Sequence, residues 1–227
     1  MATKWMKCSE WRAGLIVGVG LGALAGAFAF LWRPCEALIL LTRAERTDNV
    51  DEGIDLAKRA YGAWASPGIR SSIAESYLLK CAIARRDGRV DDARTALDLA
   101  IAYAPGNGSP FRSYARVEID AGNWQVADFM LRRGEHWDNV NGRLVVASSD
   151  SGEFDLYRSV CRAAVEDGQL EAAACTFIRW KRITNPSAST IQGSQVPALI
   201  AEFLEIVNRT ESPVVNAAIE SALIGSH

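Results

Sequence analysis

The sequence predicts an all-α protein: an N-terminal single transmembrane helix followed by a solenoid of stacked helix pairs. Three observations carry that prediction. Residues 13–32 contain no charged side chain. A glycine-centred pattern recurs along the chain with a spacing of 34 residues. Apolar residues fall at helical periodicity on both sides of each recurrence, as an antiparallel helix pair requires.

The uncharged run comes first. Twenty helical residues rise about 30 Å, which is the hydrocarbon thickness of a bilayer. Arg12 and Arg33 bracket the run, Trp11 and Trp32 stand where interfacial aromatics are expected, and Pro34 is expected to stop the helix as it leaves the lipid. The span is therefore placed at 13–33, behind a short tail of residues 1–12. A signal peptide would fit the small residues at Ala27 and Ala29, but the run is long for that purpose and continues through Phe30-Leu31-Trp32, so an uncleaved anchor is expected. Gly14, Gly18, Gly22 and Gly26 recur every fourth residue and form one winding stripe, where the backbone of a partner span could approach closely. A dinucleotide-binding reading of the same glycines fails, because no strand precedes them.

Charge divides at the same place. Of 25 basic and 27 acidic residues, four and one respectively lie before position 34, which leaves the remainder acidic by five. An acidic body has no surface for nucleic-acid phosphates, so no nucleic-acid partner is expected. Basic residues flank the span on both sides, and the compact cluster of Lys4, Lys7 and Arg12 tilts the orientation toward a cytoplasmic N-terminus. The expected location is a bacterial inner membrane with the body on the periplasmic side.

The body is organised by Asp87-Gly88-Arg89-Val90-Asp91-Asp92-Ala93, which recurs as Ala121-Gly122-Asn123-Trp124-Gln125-Val126-Ala127 and again as Asp167-Gly168-Gln169-Leu170-Glu171-Ala172-Ala173. Around the first glycine stand Tyr77, Cys81, Ala93, Leu97, Ala100 and Pro105. Around the second stand Phe111, Ala115, Ala127, Leu131 and Gly134. Around the third stand Tyr157, Cys161, Ala164, Ala173 and Phe177. This alternation of large and small residues resembles the tetratricopeptide repeat (TPR) family. The resemblance implies helix pairs stacked side by side, with small residues admitting neighbouring helices and large ones filling the gaps. Trp180 departs from the pattern by standing where the family has a small residue. The second and third turns are 46 residues apart, so an insertion of twelve polar, turn-forming residues is expected near Asp138–Ser151.

Repeats are accordingly expected over 68–190. A degenerate helix pair without a turn glycine is expected over 34–67, and capping helices over 191–227, since a solenoid must cover its last apolar face. Cys81, Cys161 and Cys175 are read as buried packing residues.

The resemblance also implies a groove lined by the first helix of each repeat. Carried onto this chain, it presents Arg112 with Arg116 and Arg158 with Arg162, each pair at i, i+4 spacing, with Arg85 and Arg86 ending the preceding helix. Such a lining is similar to grooves that grip an acidic peptide or chain terminus through charge-assisted bonds. The competing reading is that these arginines are solvated or pair with Glu118, Asp155 and Glu166. Five cysteines without a CxxC pair and two histidines, His136 and His227, supply no metal site and no histidine-based catalytic group. Nucleotide-binding and hydrolase motifs are absent from the sequence, so neither enzymatic activity nor a cofactor is expected. The expected role is a scaffold or adaptor that binds other proteins, including an integral membrane partner. The alternative is a structural accessory subunit of a large membrane complex with an empty groove.

Overall fold

The computed structural model describes residues 26, 28, 32–141, 151–184, 196–207 and 213–224. Their regular structure is all helical, with no strand among them. The helices are α1 (described over 32–46), α2 (Val50–Ala63), α3 (Pro67–Arg86), α4 (Val90–Tyr103), α5 (Gly108–Asp120), α6 (Trp124–Val140), α7 (Ser151–Glu166), α8 (Leu170–Thr184), α9 (Val196–Val207) and α10 (Pro213–Ile224). The chain divides into two compact units, Met1–Ser76 and Tyr77–His227, with the boundary inside α3.

Among the described residues no helix is long and apolar enough to cross a membrane. Most of the expected span at 13–33 lies outside them, including Gly14, Gly18 and Gly22. Gly26 is described; it is helical and exposed, and a side chain there would meet nothing within 4 Å. Pro34 does not end a helix. Residues 32–46 are helical through it.

In the first unit, α1 and α2 form the helix pair expected there. They are joined by Thr47-Asp48-Asn49, with Asn49 as the N-cap of α2: its side-chain oxygen accepts from the amides of Asp51 at 3.1 Å and Glu52 at 3.4 Å. Ala37 and Leu40 of α1 and Ile54, Ala57 and Ala60 of α2 are buried. Gly53 takes the place of a turn glycine in a different sense: a β-carbon there would lie 3.3 Å from the carbonyl oxygen of Ala44, so glycine permits a close approach of the two backbones. Ser66 then opens α3, accepting from the amide of Ile69 at 3.3 Å, with Pro67 in the first helical position.

The second unit repeats one local structure three times. At the end of α3 the amide of Gly88 donates to the carbonyl of Arg85 at 3.0 Å, and that of Arg89 to Ala84 at 2.8 Å. At the end of α5, Gly122 donates to Ile119 at 3.1 Å and Asn123 to Glu118 at 2.8 Å. At the end of α7, Gly168 donates to Val165 at 3.0 Å and Gln169 to Ala164 at 2.8 Å. The three glycines have φ of 73°, 80° and 76°, the left-handed conformation that closes a helix in this way. The next helix starts immediately, and the fifth residue after each glycine is a fully buried alanine: Ala93, Ala127 and Ala173.

The large residues Tyr77, Phe111 and Tyr157 and the small residues Cys81, Ala115 and Cys161 are buried at matching positions of the first helices. Leu97, Leu131 and Phe177 match in the second helices. Two positions and one boundary are instructive. Gly134 brings α6 onto α5, since a β-carbon there would lie 3.2 Å from the carbonyl oxygen of Gly108. Trp180 occupies the matching place in α8, where its ring packs 4.8 Å from Phe154 and 6.1 Å from Phe177, so an aromatic cluster replaces backbone contact. The expected insertion begins later than Asp138, because α6 continues to Val140: Asp138 is buried and bonded to Arg112, and Asn141 donates to the carbonyl of Gly106. Residues 142–150 and 185–195 lie outside the description. Helices α9 and α10 extend the stack, α9 against α7 and α10 against α8, with Phe203, Val215 and Ile219 joining the core.

Replacing Gly88, Gly122 or Gly168 with alanine should cost about 1–2 kcal/mol each, from left-handed backbone strain alone, because nothing lies within 4 Å of the added carbon at any of the three. Urea denaturation followed by circular dichroism checks this, and nearly equal losses at the three sites are expected.

Candidate functional site

The first helices of successive pairs, α3, α5 and α7, carry all six arginines expected to line a groove. The structure places them as follows. Arg85 directs its Nε to the carboxylate of Asp120 on α5. Arg86 is exposed and stands 3.7 Å from its neighbour Asp87. Arg112 bonds the carboxylate of Asp138 on α6. Arg116 donates from Nη2 to the carbonyl oxygen of Gly152 on α7 at 2.7 Å. Arg158 lies over the ring of Phe154 at 6.0 Å, with its Nε buried and without a hydrogen-bond partner among the described residues. Arg162 donates from Nε to the carbonyl oxygen of Ile206 at 2.8 Å, in the last turn of α9, where carbonyls lack helical partners.

A rule runs through these contacts. Arg85, Arg116 and Arg162 each reach from one first helix to the next: α3 to α5, α5 to α7, and α7 to α9. They stitch the inner row of the stack. Of the carboxylates expected to pair with them, Glu118 is held instead by Arg94 of α4, and no bond from these arginines to Asp155 or Glu166 is seen among the described residues.

A cleft of about 270 Å³ opens where α3, α5 and α7 converge. Arg85, Arg116, Asp120 and Asp155 give it two positive and two negative charges, and Ile119 and Leu156 give it apolar wall. Both guanidinium groups already serve internal acceptors. The cleft is thus electrically balanced, and it offers a weak field to an acidic ligand.

Two buried polar clusters were not anticipated from the sequence. In the first, Arg94 grips Glu118 in a two-pronged contact, Nε to Oε1 at 2.6 Å and Nη2 to Oε2 at 2.8 Å, while Asn123 donates to the same carboxylate at 2.9 Å. The Arg94 bond foremost holds Glu118 below its ordinary carboxyl pKa. In the second, Asp128 of α6 accepts from Thr176 at 2.7 Å, from Arg132 at 2.6 Å and from Arg179 at 2.5 Å. Burial pushes Asp128 upward, but the charges and donors of Arg179, Thr176 and Arg132 outweigh it and leave the pKa lowered. Seven residues on, Glu135 accepts from the hydroxyl of Tyr157 at 2.7 Å and lies 3.5 Å from Nε of Arg179. There burial wins and the pKa is raised. The only sequence signal for this cluster was the i, i+4 pair Asp128 and Arg132.

The cysteines serve as packing. Cys161 is buried, and desolvation pushes its thiol up to about 12, while Cys81 and Cys175 are shifted upward for the same reason. A thiol so shifted is a poor nucleophile near neutral pH. Cys175 is only partly buried, and Cys35 is exposed.

The opposite shifts of Asp128 and Glu135 give opposite signs of pH dependence. Asp128, with its pKa lowered from 3.8, contributes stability above that value and loses it as pH falls through the lowered one. Glu135, raised from 4.5, contributes below that value and loses its contribution as pH rises through the raised one. Asp128→Asn should therefore cost about 3 kcal/mol at pH 7 and less at pH 3. Glu135→Gln, which retains an acceptor for Tyr157, should leave stability at pH 7 unchanged or raise it. Chemical denaturation at both pH values reads the two signs. Searches with the whole sequence bring no outside identification to this site: no protein-family model matches the chain, and no curated protein matches it.

Proposed function

We propose that this chain is a membrane-anchored scaffold of TPR type, which holds other proteins together in a membrane or cell-envelope complex. The observation that carries the reading is the threefold recurrence of one hairpin closure, at Gly88, Gly122 and Gly168, with matching large and small buried residues. Stacked hairpins make extended surfaces suited to binding protein. The uncharged run at 13–32 supports a single membrane span, with Gly14, Gly18, Gly22 and Gly26 as the face for an integral membrane partner. The charge pattern supports a bacterial inner membrane with the body in the periplasm. No catalytic role and no cofactor enter this reading.

One observation favours the second reading, a structural accessory subunit with an empty groove. Arg112, Arg116 and Arg162, which would grip an acidic peptide, are bonded within the protein itself. In that reading the partner contacts are made by the span and the outer helical faces.

Full-length protein expressed in a bacterial host should stay in the membrane pellet after alkaline carbonate extraction, and release into the supernatant contradicts the anchor. Gly18→Leu with Gly22→Leu should lower the yield of co-purified membrane partner several-fold in mild detergent. Replacing Arg112, Arg116, Arg158 and Arg162 together by alanine separates the two readings. An adaptor groove loses its partner while Tm holds, whereas arginines that stitch the stack lower Tm by about 5 °C or more when removed, since each kcal/mol of lost bonding lowers Tm by about 2–4 °C in a domain of this size.

A further inference from the structure

One face of α1 is apolar and uncovered. Phe28, Trp32, Cys35 and Ile39 are exposed at spacings of four, three and four, which puts them on a single line along a helix, while Ala37 and Leu40 on the other side are buried. The rings of Phe28 and Trp32 stack at 5.8 Å, and Leu38 borders the line at 65% exposure. So large an apolar strip on the surface calls for an occupant.

We propose that this strip lies against lipid, so that membrane contact continues past the uncharged run as far as Ile39. The inference rests on the membrane-anchor reading and extends it. Two features select lipid. The strip is continuous in sequence with the uncharged run of 13–32. Exposed Arg43 and Arg46 follow within two turns of Ile39, in place to reach headgroup phosphates. A second copy of the chain is the poorer fit: helices that associate within membranes meet through glycine and alanine, whereas Phe28, Trp32 and Ile39 are bulky and tryptophan is an interfacial anchor. The strip thus gives α1 a tilted or surface-lying attitude at the interface, with its opposite face left for the protein core.

The test uses the full chain with Cys8→Ser and Cys35→Ser, reconstituted in vesicles of phosphatidylcholine and phosphatidylglycerol at 3:1. A bimane label is placed through Ile39→Cys on the strip or through Glu36→Cys beside it, and quenching by acyl-brominated lipid is measured. Position 39 lies further from the uncharged run than position 36, so an upright helix leaving the membrane quenches more at 36. The proposal expects at least twofold greater quenching at 39. Equal or greater quenching at 36 overturns it, as does disulfide cross-linking between copies through Cys35 of the unaltered chain with no quenching at 39, which would assign the strip to a second copy. If the protein fails to float with the vesicles, the anchor reading falls as well. Flotation without quenching at 39 removes the strip proposal alone.

Discussion

The bond from the third residue past each first helix back to that helix's last turn is the constraint on which the body depends. It forms only if the intervening residue adopts a left-handed backbone, and Gly88, Gly122 and Gly168 do so with φ values within seven degrees of one another. With the turn fixed, the direction of the next helix is fixed, and with it the positions that face inward. Ala93, Ala127 and Ala173 sit five residues after their glycines and are fully buried, because the two helices are closest there. Larger residues become tolerable, and then necessary, one turn further on, at Leu97, Leu131 and Phe177.

Packing of this kind joins the helices of a pair, while polar contacts secure one pair to the next. Arg85, Arg116 and Arg162 each cross to the following first helix, two of them onto backbone carbonyls. The Asp128 cluster ties α6 to α8 through Thr176 and Arg179. Guanidinium groups suit this work because they remain charged and present several donors from one planar group. The consequence for function is direct. Arginines already bonded inside the stack are worth less to a ligand, since a ligand must displace an existing bond before it gains its own.

The all-α character, the three turns and the large and small buried positions were legible in the sequence because each is local or strictly periodic. Gly88 and its counterparts announce themselves by spacing, and Cys81 by its place in the pattern. Three features were not legible. Pro34 reads as a stop but lies within a helix, since one missing amide donor does not by itself end a run whose other bonds hold. The end of α6 was placed too early, because Asp138 and Asn141 are polar and turn-like in sequence yet are held by Arg112 and the Gly106 carbonyl. The internal acceptors of the first-helix arginines were not legible either, because i, i+4 spacing tells which way a side chain points and not what it meets. Arg162 meets a carbonyl 44 residues away, a relation no local pattern encodes.

Native-state hydrogen exchange on the full-length protein, read at single-residue resolution, tests the hairpin closure most directly. The amides of Arg89, Asn123 and Gln169 are bonded to carbonyls of the helices they follow, so they should exchange as slowly as amides inside α4, α6 and α8. Exchange at the three sites as fast as in an unstructured peptide, with the flanking helices protected, would contradict the account.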